Sequence, residues 1–333
     1  MAAPDVAVLL TGVGKRYDIV SAFAQHATVL AADPNPLAPA QYAAGHRVAV
    51  PRIDDPAYVS TLQAVCERHN AGAVVPLTDL DIEVLARARA AGQLPAFVPD
   101  PEIARATYDK YEAHLLLERL GLPSPPTVLP GEPVDHYPVM VKPRRGSGAR
   151  SIHRADNTDA AQFFVDYVKE PTMVQRYMDG PEFSIDCLSD LSGACLNAIP
   201  RTMIESRGGE SIKGTVIADV ELIELGRRVV ESLGVRGPCT VQVFRDREIG
   251  LAITDVNTRF GGAFPAPMYA AHAGHTYPEL IVRMARGEQI ESHVGQFRDG
   301  ITFTRYFWQL ELDEHLQPTG RDIVEPPGPP VPR

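Results

Sequence analysis

The first hundred residues alternate short apolar runs with amphipathic stretches, and that alternation leaves few folds open. Residues 6–10, 28–32 and 73–77 read as strands, and 48–50 and 96–98 as shorter extended pieces. Residues 17–25, 57–69 and 82–91 carry helical patterns. Strands spaced by helices predict a parallel, doubly wound α/β sheet, because each parallel pairing needs a crossover long enough to return the chain. A helix predicted over 108–120 is ended by Gly121 and by Pro123, Pro125 and Pro126, which mark a boundary. Beyond it, strands are predicted at 139–142, 172–177, 182–188, 194–200, 240–244 and 250–255, broken by helices at 159–168, 220–233 and 278–286. That order predicts an α+β arrangement around antiparallel sheet. The tail, with Pro326, Pro327, Pro329 and Pro330, is expected to be disordered.

With 333 residues the chain can build two or three domains. A net charge of −10 and the lack of a basic run argue against nucleic acid as a partner. No apolar run is long enough to span a bilayer, and the N-terminus lacks the charged start of a signal peptide, so no membrane partner and a cytoplasmic location are expected. Cys66, Cys187, Cys195 and Cys239 have no C-x-x-C spacing and read as buried free thiols, not as a zinc site or disulfides.

The chemistry concentrates in Asp255-Val256-Asn257-Thr258-Arg259-Phe260-Gly261-Gly262, which follows an apolar strand. In extended chain Asp255, Asn257 and Arg259 share one face. A carboxylate, an amide oxygen and a guanidinium there suit a hard cation and the anion it carries. Taken alone, the stretch also fits a strand end and a polar turn. If Gln242 lies on the partner strand of a hairpin through 245–248, its amide oxygen joins the same cation site. Val141-Lys142-Pro143 delivers a lysine to a strand end, and Gly146, Ser147 and Gly148 follow in a loop able to cradle polyphosphate, or to serve as an ordinary basic hairpin loop. Gln175, Tyr177, Met178 and Glu182 lie in a strand–turn–strand. Arg201, Glu205, Arg207, Glu210 and Lys213 form a charge-dense stretch that suits either a solvated face or substrate-facing cations. The turn Thr11-Gly12-Val13-Gly14-Lys15-Arg16-Tyr17, with Asp33 ending the next strand, is an incomplete dinucleotide fingerprint. It suits packing or a small substrate better.

Taken in order, Lys110, Lys142 with its Gly-Ser-Gly loop, Gln175 to Glu182, Gln242 and the Asp255-to-Gly262 stretch resemble the ATP-grasp superfamily. The resemblance covers about residues 5–310 and is nearest to the carbamoyl-phosphate-synthase-large-subunit-like and carboxylate–amine ligase branch. It implies an α/β pre-ATP-grasp domain over 1–107, with a parallel doubly wound sheet. A two-lobed α+β ATP-grasp fold follows, with an N-terminal lobe over 108–178, a C-terminal lobe over 179–325 and a tail over 326–333. It implies that Lys110 and Lys142 hold nucleotide phosphates, that Gly146, Ser147 and Gly148 form a lid, and that Gln175, Tyr177 and Met178 form the hinge reading adenine. Glu182 would bind ribose. Gln242, Asp255 and Asn257 would hold Mg²⁺, with Mn²⁺ able to substitute, and Arg259 would stabilise the transferred phosphoryl group. Arg207 to Lys213 would face the substrate, which gives Arg207 and Lys213, with Arg259 and Lys142, catalytic roles.

The implied activity is ADP-forming ligation of small-molecule carboxylate and amine substrates through an acyl phosphate, with a homodimer as a further expectation. Two departures stand out. Asp255 replaces the family's usual glutamate, which bears on metal number and affinity, and Arg207 stands where the synthase has a histidine. A single synthase-like unit phosphorylating bicarbonate or carbamate is the alternative, and a non-catalytic ATP-binding regulator a further one.

Overall fold

The computed structural model describes residues 6–146, 148, 151–207, 210–262, 274–306 and 309–320. Strands β1 (Ala7–Thr11), β2 (Thr28–Ala32), β3 (His46–Val48) and β4 (Ala71–Pro76) pair in parallel in the order β3-β2-β1-β4. Helices α1 (Tyr17–Ala24) and α2 (Tyr58–His69) cross from β1 to β2 and from β3 to β4, a short 3-10 turn over Pro39–Ala43 joins β2 to β3, and α3 (Ile82–Ala90) follows β4. β1 is buried along its whole length, as a strand covered by helices must be. This is the doubly wound sheet the alternation predicts. The piece predicted at 48–50 lies earlier, at β3, and residues 96–98 contribute only a bridge from Ala96 to Val74.

The helix predicted over 108–120 is α5 (Lys110–Arg119), and a helix not predicted, α4 (Pro101–Tyr108), runs up to it. The break is at Asp109, whose extended backbone and carboxylate, accepting from the Tyr111 and Glu112 amides, start α5 afresh. Strands β5 (Thr127–Val128), β6 (Val139–Pro143), β7 (His153–Ala155) and β8 (Thr172–Arg176), with helix α6 (Thr158–Tyr167), form an antiparallel sheet ordered β5-β8-β6-β7. The chain then lays down β9 (Glu182–Ser189), β10 (Cys195–Thr202), the hairpin β11 (Glu205–Arg207) and β12 (Glu210–Thr215), and helix α7 (Val220–Ser232). β13 (Gly237–Asp246), β14 (Gly250–Asn257), α8 (Tyr277–Ala285) and β15 (Thr302–Thr304) follow. A second antiparallel sheet runs β10-β9-β13-β14, and a small one runs β11-β12-β15. The tail expected to be disordered lies outside the described residues.

One hydrophobic cluster joins the first sheet to the β10–β14 sheet through Phe23, Val75, Leu188, Ile199, Phe260 and Tyr277. Phe23 meets Phe260 edge-to-face at 6.1 Å, so the segment after β14 is packed into the α/β domain. The four cysteines are buried free thiols. Among the described residues no helix is long and apolar enough to cross a membrane.

Candidate active site

Directly opposed residues in an antiparallel sheet share a face, and the register of the β10–β14 sheet lines up a functional row. Arg201 pairs with Ser184, Ser184 with Gln242, and Gln242 with Asp255. The adjoining row contains Asp186, Thr240 and Asn257. A bulge between Gln242 and Val243 resets the alternation just before Asp255. The expected hairpin therefore brings Gln242 and Asp255 together.

These rows wall a cleft of about 1130 Å³ whose other wall is the β5–β8 sheet. Lys110, Lys142, Gly146, Gly148, Gln175, Tyr177, Met178 and Glu182 line it, as do Gln242, Asp255, Asn257 and Arg259. Ser147 lies outside the described residues, and so does the side chain of Arg207. Lys213 is placed elsewhere. It stands opposite Glu205 in the β11–β12 hairpin and pairs with that carboxylate at 2.6 Å on an exposed face, which removes it from the cleft wall. Arg201, by contrast, is a buried cleft residue, its Nε donating to Asp186 Oδ2 at 2.7 Å.

Lys142 is 7% exposed, and its ammonium donates to the neutral Gln175 Oε1 at 2.8 Å. Burial pushes its pKa down to about 8; Lys110 adds to the shift, while Asp255 and Glu182 oppose it. Gln175 Nε2 in turn donates to Thr127 Oγ1 at 2.9 Å. Gln175 is thus a side-chain support inside β8, between β5 and β6, instead of a hinge residue with free backbone. The hinge expectation also needs correction at Tyr177, whose N–H is donated to Pro138 O at 3.1 Å and whose ring carries the Arg154 guanidinium. Burial raises the Glu182 carboxyl, with Asp255 adding to the shift and Arg201 and Lys142 opposing it.

Lys110 ties the loop to the metal face. Its Nζ donates to Gly146 O at 3.0 Å and lies 3.8 Å from Asp255 Oδ2. At the loop base Arg144 and Arg145 both bond Asp109, at 3.0 and 3.2 Å through their Nε atoms. Burial alone would raise the Asp109 carboxyl, but the Arg144 hydrogen bond and the helix amides hold it below its usual value.

Arg259 does not continue the strand. β14 ends at Asn257, and the Arg259 N–H turns back to Asn257 O at 2.8 Å. The guanidinium returns to the site through Asn257 Oδ1 at 3.2 Å and is clamped by Asp79, Nε to Oδ1 at 2.7 Å with Nη2 on the second oxygen. Nη1 donates to Phe260 O. Asp79 went unread in the sequence: it sits in the loop after β4, 180 residues from its partner. Arg16 makes the matching tie, its Nη2 donating to Gly261 O at 2.6 Å. Gly12, with φ of +59°, allows the fit, since a Cβ there would meet Thr78 Cγ2 at 2.4 Å. Asp33, where a ribose-binding acid would stand, is used internally and accepts from Gly14 N at 2.8 Å.

Among the described residues, no group of three or more His, Cys, Asp or Glu side chains is arranged to hold a metal. Gln242, Asp255 and Asn257 offer one carboxylate and two amide oxygens. Such a set fits a magnesium ion that keeps other ligands from nucleotide phosphates and water, not an ion caged by protein alone.

Residues 8–93 match the family described as PylC-like, N-terminal domain, and residues 168–306 match ATP-grasp in the biosynthetic pathway with Ter operon. The carbamoyl phosphate synthase large chain of Caldanaerobacter subterraneus subsp. tengcongensis is 25% identical over 173 residues, 46% of this chain but 15% of that relative's length. The D-alanine–D-alanine ligase of Actinobacillus succinogenes is 23% identical over 205 residues, 54% of this chain and 67% of that one. Among solved structures, the biotin carboxylase domain of Hydrogenobacter thermophilus 2-oxoglutarate carboxylase superposes with a TM-score of 0.69 at 18% identity, covering 89% of this chain and 73% of that one. The match over residues 168–306 identifies an ATP-grasp region in this chain, and the β10–β14 sheet of that region forms one wall of the cleft.

Proposed function

We propose that the protein is an ATP-dependent carboxylate–amine ligase. One observation carries the reading: Lys110, Lys142 and Arg259, from three separate stretches of chain, converge with Asp255 and Asn257 on a single cleft. Two anions, a carboxylate and a triphosphate, repel each other, so a catalyst for their reaction must supply fixed positive charge between them. Lys142 and Lys110 hold the phosphates, Arg259 holds the group in transfer, and Glu182 and the Met178 region receive the nucleoside. Magnesium, when bound through Gln242, Asp255 and Asn257, neutralises phosphate charge. The substrate carboxylate oxygen attacks the γ-phosphorus and releases ADP. The amine then attacks the acyl carbon and expels phosphate, leaving an amide. The similarity to a D-alanine–D-alanine ligase supports amide formation.

The test is an ADP-release screen against amino acids, small carboxylates and bicarbonate, with mass spectrometry of the products. The reading predicts ADP release that needs an organic acid, and an amide product once an amine is added. The similarity to carbamoyl phosphate synthase favours a second reading, in which bicarbonate or carbamate is phosphorylated. ADP release with bicarbonate and no organic acid would select it. Nucleotide binding without ADP release under any of these conditions would contradict both.

A further inference from the structure

The turn after β1 is left without a task by the ligase chemistry above, and its position supplies one. In the order β3-β2-β1-β4 the winding reverses between β1 and β4. Open α/β sheets take their ligands in the crevice outside the carboxyl ends of the strands at such a reversal. The two loops that border this crevice both reach the catalytic segment, one through Arg16 to Gly261 and one through Asp79 to Arg259. Lys15 stands on the first loop and lines the main cleft; no other described residue of the first hundred does so.

The turn that carries Lys15 is fixed on both sides. Gly14 N donates to Asp33 at 2.8 Å, Gly14 O accepts from Ala40 N at 3.1 Å, and Arg16 N donates to Val13 O at 2.9 Å. Lys15 itself is exposed to the cleft. The cleft lining continues with Gly261 and Gly262 to Ser206 and Ser211; the Arg305 side chain donates to Gly262 O at 3.2 Å and its backbone N–H to Ile212 O at 2.9 Å. Of the three carboxylates in the cleft wall, Asp255 belongs to the metal face, Glu182 opens β9, and Glu170 precedes β8. Lys15, Ser206 and Ser211 bring an ammonium and two hydroxyls to the cleft lining.

We infer that Lys15 binds a second, non-reacting anionic group of the acid substrate, so that the enzyme prefers acids carrying two negative groups. This rests on the ligase reading. The reacting carboxylate passes its charge to the phosphoryl group at Arg259, so its binding cannot orient the rest of the molecule. A second anion held on a rigid turn can, and a remote contact of this kind is used for alignment at the reacting centre.

The experiment uses the full chain with its cleft filled by magnesium and a non-hydrolysable ATP analogue. L-Aspartate, L-glutamate, succinate and O-phospho-L-serine are titrated calorimetrically beside the isosteres L-asparagine, L-glutamine, butyrate and L-serine. At least one acid should bind 10-fold or more tightly than its isostere. Lys15→Met should abolish that preference and Lys15→Glu reverse it, with analogue affinity and melting temperature unchanged. The carboxylate and phosphate arms identify which anion is taken. Equal binding of acid and isostere, a preference that survives in Lys15→Met, or no binding of any acid would overturn the inference. ADP release with a singly charged acid, insensitive to Lys15→Met, would overturn it while leaving the ligase reading intact. A Lys15-dependent acid preference without ADP release would do the reverse.

Discussion

The two sheets that wall the cleft hold their buried cations in opposite ways. On the β10–β14 side, Arg259 is matched by a carboxylate: Asp79 takes two of its N–H groups, and Asn257 and Phe260 O take others. On the β5–β8 side, Lys142 hydrogen-bonds the amide oxygen of Gln175, and burial destabilises its ammonium more than the nearby Asp255 and Glu182 stabilise it. A paired guanidinium is a fixed part of the wall, charged and already aligned. A buried ammonium held by an amide instead of a carboxylate gains most when an anion arrives. The proposed ligase reading therefore assigns Lys142 mainly to nucleotide binding and Arg259 mainly to the step in which charge moves.

The largest expected effect separates the two roles. Arg259→Ala should lower turnover by roughly 10²- to 10³-fold, the scale of one preorganised donor aimed at developing charge, with nucleotide affinity changed little. Steady-state kinetics beside calorimetric nucleotide titration checks both halves. An equal loss in affinity would merge the two cations into one role. Next comes Lys142→Met. Losing a charge-assisted hydrogen bond costs about 2–3 kcal/mol, so nucleotide affinity should fall roughly 30- to 150-fold, more than for any change at Arg259.

The pH response sharpens the contrast further. With the Lys142 pKa near 8 in the free protein, phosphate binding favours the protonated form and takes up a proton above that pH. ADP affinity measured without metal should be level below pH 7 and fall by up to about tenfold per unit above pH 8. Lys142→Met should remove that slope.

The smallest effect concerns the loop that carries Asp79. Two residues on, Asp81 is fully buried, accepts from the Tyr58 hydroxyl at 2.7 Å, and is pushed up by burial to about 6. The folded chain then holds a proton that the unfolded chain has already released between about pH 4 and 6. Stability should therefore fall as pH rises through that window, by at most about 3 kcal/mol. Asp81→Asn should flatten the curve in urea titrations at pH 4.5 and 7.5. A slope that survives the substitution would place its origin elsewhere.

How far the sequence could be read follows from how local each signal is. The Gln242–Asp255 pairing was legible because a hairpin fixes register over a dozen residues, and Lys142 because a strand delivers it directly into a glycine-rich loop. The α/β sheet was legible from strand and helix periods. What escaped is non-local or depends on a single side chain. The clamps from Asp79 and Arg16 span 180 and 245 residues. The break at Asp109 looks like helix until its carboxylate is seen capping α5. Gln175 was read as backbone, whereas its side chain carries the contact. Lys213 belonged to a charge run whose register places it on Glu205 instead of a substrate.

The central claim is that a carboxylate oxygen attacks the γ-phosphorus in this cleft. An acid substrate labelled with ¹⁸O in its carboxyl group tests it most directly. The account predicts one ¹⁸O atom in the phosphate released with each amide formed. Unlabelled phosphate, with the label retained in the product or lost to water, would contradict it.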